Sequence, residues 1–212
     1  MRQIVRTEGP LAAASPNNIA LTQTPTTAGF TINGSTATAG VATLDTARRV
    51  LLTTAGDEHT RTVVVSGTDG QGRLISETIA GANVGTTQSN LDFLTVTSAI
   101  PSGNFAGAAT IGTSGVASSI PLPLDHYGWP EDAVQVVVTG TINYTVQQTL
   151  DDPFTASAST NLNWSDFADP NLVGQTTTSS GGVEYPPAAL RLLINSGTGT
   201  AKITILQPGI LG

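Results

Sequence analysis

The chain carries two histidines, the side chains that titrate nearest neutral pH, so acid-base chemistry is sought there first. His59 lies in the polar stretch Ala55-Gly56-Asp57-Glu58-His59, which reads as a turn. His126 lies in Asp125-His126-Tyr127-Gly128-Trp129-Pro130. A catalytic histidine is oriented across the fold towards a nucleophile by a third group, and a sequence-adjacent Asp-His pair does not supply that arrangement. No catalytic residue is therefore assigned. A hydrolase built on Asp125, His126 or the Asp151-Asp152 pair ranks behind every non-enzymatic reading.

Carboxylates offer the next chemistry. Asp151, Asp152, Asp166 and Asp169 could converge as hard oxygen ligands for calcium. Their spacing matches no EF-hand loop, and aspartates beside Pro153 and Pro170 are ordinary turn formers. They stand as metal candidates only, and neither a metal nor a cofactor is expected. Asp69-Gly70-Gln71-Gly72 has the glycines of a phosphate-cradling loop, but no lysine and no helix follows, so it reads as a hairpin turn. The absence of cysteine removes disulfides, thiolate metal sites and cysteine nucleophiles together.

Aromatic side chains give a third possibility. Tyr127, Trp129, Trp164 and Tyr185 could form a platform for a sugar, but large rings are also what cores and protein interfaces bury. Together with Ile210 and Leu211 of the apolar tail Pro208-Gly209-Ile210-Leu211-Gly212, they are the candidate interface or binding residues.

The elements that must position these groups are strands. Charged residues make up 11% of the 212 residues, well under the usual figure of about 25%. Thr, Ser, Asn, Gln and Gly must build the surface, a composition suited to short strands and tight turns. The net charge of −7 leaves no basic surface for phosphates, so direct nucleic-acid binding is not expected. No apolar run approaches the ~20 residues of a membrane span or the shorter core of a signal peptide.

Along the chain, residues 1–18 hold two prolines and many small residues and read as an extended N-terminal arm. From residue 19 to 113 the period is close to two. Ile19-Ala-Leu21, Gly29-Phe-Thr-Ile-Asn33 before an Asn33-Gly34 turn, Arg48–Thr54, Thr60–Ser66, Asp92–Thr97 and Ala108–Thr113 read as strands. Between Val63 and Ile79, an apolar run, an Asp-Gly turn and an alternating run make a hairpin with Ile75, Glu77 and Ile79 on one face. About seven strands in roughly 95 residues match an immunoglobulin-like sandwich. Residues 114–124 read as a linker. A second β-sandwich is expected over 125–212, with strands at Ala133–Thr139, Ile142–Leu150, Ala189–Asn195 and Thr200–Gln207. The last two are joined by an expected Ser196-Gly197-Thr198-Gly199 hairpin. The connection 151–187 is long enough to be a functional loop, and its aromatics argue that it is ordered.

The run from Ala47-Arg48-Arg49-Val50 through Gly67-Thr68-Asp69-Gly70-Gln71-Gly72 to Glu77-Thr78-Ile79 resembles structural proteins of tailed-bacteriophage virions. Phe93–Ile100, Ala106-Gly107-Ala108 to Gly112-Thr113, Asn143-Tyr144-Thr145-Val146-Gln147-Gln148-Thr149-Leu150-Asp151-Asp152-Pro153 and Gly197-Thr198-Gly199-Thr200 with Gln207 continue the likeness over roughly residues 45–207. The resemblance implies an all-β particle component of Ig-like or jelly-roll type, located in the neck, tail, tail fibre or capsid decoration, with no enzyme activity, no cofactor and no transferred site residues. The expectation is a homo-oligomer assembled with other virion proteins through sheet edges, the arm and the apolar tail, made in the host cytoplasm and resident in the virion. A host-glycan-binding, adhesin-like module using Trp129, Trp164 and the tyrosines Tyr127 and Tyr185 is the reading from another class.

Overall fold

The computed structural model describes residues 2–125, 132–154, 162–183, 185 and 187–207. Among these residues the fold is all-β with antiparallel pairing throughout the strand registers, and the one helical element is a 3-10 turn at Pro170–Leu172. His126, Tyr127, Trp129, Ile210 and Leu211 lie outside the described residues.

The N-terminal residues depart from the arm expected over 1–18. β1 (Arg2–Glu8) pairs over its full length with the last strand of the chain, Arg2 opposite Gln207 and Glu8 opposite Ala201. β2 (Ser15–Gln23) pairs with a strand ending at Ser118. Both segments thus place backbone donors and acceptors in ladders within their own chain, where burial would otherwise leave them unsatisfied. The chain divides into two compact units, residues 13–117 and residues 1–12 with 118–212. The division falls inside the stretch 114–124 that reads as a linker, and residues 114–118 of that stretch are strand.

In the unit 13–117, β3 (Ala37–Thr38), β4 (Val41–Asp57), β5 (Thr62–Thr68), β6 (Leu74–Ala80), β7 (Asn83–Pro101) and β8 (Ala109–Ser118) join β2. The ladder runs β6-β5-β7-β4-β8, with β2 on β8 and β3 on β4. Alternation decides the faces: Val63, Val65, Ile75 and Ile79 are buried while Val64 and Leu74 are exposed. These join Ile19, Val50, Leu52, Phe93, Val96 and Ile111 in one core, where Phe30 and Phe105 meet edge to face. The strands are longer than their apolar runs because Thr and Ser carry the ladder beyond them. β4 and β7 stay paired through bulges, the largest between Thr43 and Arg48. Such insertions bend a strand.

That bulge buries Arg48, 1% exposed. Its Nη1 donates to both carboxylate oxygens of Asp45 at 3.0 and 3.2 Å, and its Nε and Nη2 donate to the Ser114 carbonyl. A buried guanidinium persists only when paired in this way. Its partners come from 3 and 66 positions away.

The other unit contains two sheets. One has the order β1-β15-β10-β13, with β10 (Ala133–Thr139), β13 (Ser179–Gly182) and β15 (Thr200–Gln207). In the other, β11 (Ile142–Thr149) pairs with β12 (Ser165–Asp166) and with β14 (Ala189–Gly197), and β14 with β9 (Leu122–Pro123). β14 and β15 therefore belong to different sheets, which corrects the hairpin expected at Ser196–Gly199. The chain turns a corner there instead, beside the equivalent crossing from β10 to β11. The Thr141 carbonyl accepts from the N–H groups of Thr198 and Gly199. Gly197 has φ +103°, and a Cβ there would strike the Thr141 and Ile142 backbone, so the glycine serves the close approach of two crossing chains.

Candidate functional site

The expected aromatic and acidic candidates that the structure describes gather around the C-terminal half of β11. Inward, Tyr144 and Val146 enter the core. The Tyr144 hydroxyl donates to the Thr177 carbonyl at 3.2 Å, and burial pushes this phenol's pKa up, because the charged form loses water.

Outward, β11 carries a row of polar groups that bond to one another across strands. Gln147 Nε2 donates to Asp166 Oδ1 at 3.0 Å, and Arg191 Nε donates to Gln147 Oε1 at 2.9 Å. Register sets these neighbours, Gln147 lying opposite Asp166 on one side and Arg191 on the other. The Arg191 guanidinium carbon lies 4.5 Å from the Trp164 ring centroid, a cation–π contact. Further along, Asn195 Nδ2 donates to Asn143 Oδ1 at 2.6 Å and Thr145 Oγ1 at 2.9 Å, and Thr145 Oγ1 also accepts from the Gly174 N–H. Asn143 borders a depression at the corner with Thr141, Thr176 and Ser196.

Beyond β11 the surface turns apolar. Leu150 is 73% exposed, Phe154 79% and Tyr185 46%. Hydrogen bonds reach each of their neighbourhoods. Asp151 Oδ2 accepts from the N–H and Nδ2 of Asn163, Asp152 Oδ1 accepts from the Phe154 N–H, and Gln148 Nε2 donates to the Tyr185 hydroxyl at 2.7 Å. Ordering large apolar side chains at the surface is unfavourable unless something covers them.

The four carboxylates considered as calcium ligands each have a bonding role: Asp151 with Asn163, Asp152 with Phe154, Asp166 with Gln147, and Asp169 capping the 3-10 turn through the Asn171 N–H. Among the described residues, no group of three or more His, Cys, Asp or Glu side chains is placed to hold a metal. His59 Nδ1 lies 2.6 Å from Asp57 Oδ1 at an exposed turn, and that hydrogen bond holds the Asp57 carboxyl below the usual carboxylate range. The pair is local, two residues apart.

Trp164 and Tyr185 stand among the aromatic candidates and Asp166 among the metal candidates of the sequence, whereas Gln147, Arg191, Leu150 and the exposure of Phe154 were not singled out there. A signal existed for Arg191, a charged side chain inside the otherwise apolar run Ala189-Leu190-Arg191-Leu192-Leu193-Ile194, whereas Gln147 only keeps the polar phase of its strand. No protein-family model, curated protein or solved structure matches the chain.

Proposed function

We propose that the chain is a structural component of a tailed-phage virion, in the neck, tail or tail-fibre apparatus, acting by protein–protein assembly and not as an enzyme. The observation that carries the assembly half is the set of Leu150, Phe154 and Tyr185, exposed yet held on hydrogen-bonded segments. Interface cores favour apolar and aromatic side chains over charge, and Asn163, the neighbour of Trp164, bonds to Asp151 beside Leu150. The phage half rests on the motif resemblance. A capsid decoration role shares the same physics and differs in address. The reading takes each unit as a β-sandwich of Ig-like or jelly-roll type. The passage of β10–β11 and β14–β15 from one sheet to another supports that for the unit 1–12 with 118–212.

Mass spectrometry and imaging of purified virions test the address. The protein is expected in particles at a symmetric copy number, and a chain with Leu150, Phe154 and Tyr185 all changed to Ser is expected to fold normally but be left out. Absence of the unaltered protein from virions overturns the proposal. Host-glycan recognition is the second reading, favoured by the Asp166–Gln147–Arg191–Trp164 row. Glycan-array binding lost in Trp164→Ala with an unchanged unfolding midpoint would establish it over assembly.

A further inference from the structure

β6 is a sheet edge whose one charged residue, Glu77, lies on the face of Ile75 and Ile79 and is bonded to the Asn90 and Leu91 N–H groups. Among the described residues the strand is paired on one side only, with β5, in a register unbroken from Thr62 opposite Ala80 to Thr68 opposite Leu74. Edge strands are commonly guarded by charge, proline or a bulge. β1, also at an edge, carries Arg2, Arg6 and Glu8. The outer face of β6 presents Leu74, Ser76, Thr78 and Ala80, all exposed, with Leu74 at 86%.

The hydrogen-bond phase shows which backbone groups are available. The hairpin is bonded at both ends, Gly81 N–H to the Arg61 carbonyl and Asp69 N–H to the Arg73 carbonyl. Bonded pairs alternate along an antiparallel ladder, so residues 75, 77 and 79 face β5 and residues 74, 76, 78 and 80 face outward. The Ala80 carbonyl already accepts from Thr87 Oγ1. Leu74, Ser76 and Thr78 are left pointing away from their own sheet.

We infer that β6 pairs antiparallel with β6 of a second copy of this chain about a two-fold axis at Ser76. Leu74 then lies opposite Thr78 of the copy, and Ser76 opposite Ser76. This inference deepens the assembly reading by naming a first partner. Three features select a copy and this register. The outward-pointing residues are matched in bonded pairs, and the Ala80 carbonyl keeps its own donor. Glu77, whose carboxylate accepts from the Asn90 and Leu91 N–H groups, faces Ile75 of the copy rather than another glutamate, avoiding a like-charge pair.

The third feature is the face itself. Ser98, Ser66 and Ser76 lie side by side across β7, β5 and β6, with the Ser66 and Ser76 hydroxyls 3.2 Å apart. The two-fold continues this row of small hydroxyls into the copy. In the next row Ile100, Val64 and Thr78 are neighbours, and Ile100 and Val64 are exposed. Leu74 of the copy lands at the end of that row, extending an apolar stripe that each chain alone leaves open. Two chains of net charge −7 meet with least repulsion on such a face, which carries no charged side chain among the described residues of those rows.

The absence of cysteine from the chain makes the test direct. Facing residues of a ladder place Cα atoms about 5.5 Å apart, within disulfide reach, so Ser76→Cys is expected to oxidise to a covalent dimer of twice 21.6 kDa. Leu74→Cys, roughly 13 Å from its own copy in this register, is expected to stay monomeric under the same oxidant. By light scattering, the unaltered protein is expected to dimerise, and Thr78→Lys to weaken the dimer at least tenfold while unfolding at the same midpoint as the unaltered protein at dilutions where both are monomeric. A monomer at every concentration tested, a dimer indifferent to Thr78→Lys, or equal cross-linking from positions 74 and 76 overturns the inference. Loss of the dimer with the protein still present in virions would leave the assembly proposal standing. A dimer of a protein absent from virions would do the reverse.

Discussion

Two glycine-bearing connections look alike in sequence and behave oppositely. Thr68-Asp69-Gly70-Gln71-Gly72-Arg73 returns β5 onto β6 as a hairpin, while Ser196-Gly197-Thr198-Gly199 carries the chain from β14 to a strand of another sheet. The first is closed by its own residues. Asp69 Oδ1 accepts from the Gln71 and Arg73 N–H groups and Oδ2 pairs with Arg73 Nε at 2.9 Å. The second is closed by residues far away, through the Thr141 carbonyl. A turn that satisfies itself can be recognised locally; a corner held by another chain segment cannot.

The largest expected effect breaks the corner. Gly197→Ala puts a Cβ against the Thr141 backbone at φ +103°, where strain and overpacking together should cost about 3 kcal/mol. Both tryptophans, Trp129 and Trp164, lie in the unit that contains this corner. Urea unfolding followed by tryptophan fluorescence should therefore shift sharply to lower denaturant. An unchanged midpoint would mean that the crossing tolerates a side chain and the contrast fails.

Asp69→Ala comes next. It removes two backbone acceptors and an ion partner from the hairpin loop, and a loss of about 1–2 kcal/mol is expected. It should be visible in circular dichroism of the β signal with little change in the fluorescence transition. A fluorescence shift as large as the dichroism shift would show that the two units unfold as one.

Gly72→Ala sharpens the comparison, since this glycine also has positive φ, +79°, but a Cβ there meets nothing within 4 Å. Only backbone strain remains, about 1 kcal/mol. If Gly72→Ala proved as damaging as Gly197→Ala, close approach would not be what distinguishes the corner.

The smallest effect at neutral pH is that of Tyr144→Phe, opposite the bulge that Asn195 makes in β14 next to the corner. It gives up one hydrogen bond, with an expected loss under about 1 kcal/mol. The alkaline behaviour is more informative. Because the folded phenol titrates above its unfolded value of about 10, stability is intact below that pH and falls as pH rises past it. Tyr144→Phe should flatten that decline in urea midpoints measured from neutral to alkaline pH, and an identical slope in both proteins would place the alkaline sensitivity elsewhere.

Much of the strand inventory was legible. β10 and β15 have the bounds read from the sequence, and Ile75 and Ile79 face the core as alternation required. The segment Gly29–Asn33 shows why alternation alone falls short. Phe30 and Ile32 are buried as expected, yet no strand forms. The Gln23 side chain takes the place of a partner strand, its Oε1 accepting from the Thr31 N–H and its Nε2 donating to the Thr31 carbonyl. A hydrogen-bonded turn follows the Asn33-Gly34 signal at Gly34–Ala37, but the chain reverses into β4 at a second turn, Ala39-Gly40, with φ +51° and +81°. Alanine gives no warning of a left-handed backbone. In the candidate site, Trp164 and Asp166 were visible as types, but the row that joins them to Gln147 and Arg191 depends on cross-strand register.

The sequence by itself determined that this chain is all-β, that Ile75 and Ile79 share a face opposite Leu74, Ser76 and Thr78, and where the Asp69 hairpin turns, because side-chain alternation and turn chemistry are local. Tertiary structure alone decided that β1 lies on β15, that β14 leaves β15 for β11, and that Arg48 meets Ser114. The strand pairings are made by backbone donors and acceptors that nearly every residue shares, and Arg48 meets a backbone carbonyl of the same kind, so no side-chain pattern labels one segment as the partner of another.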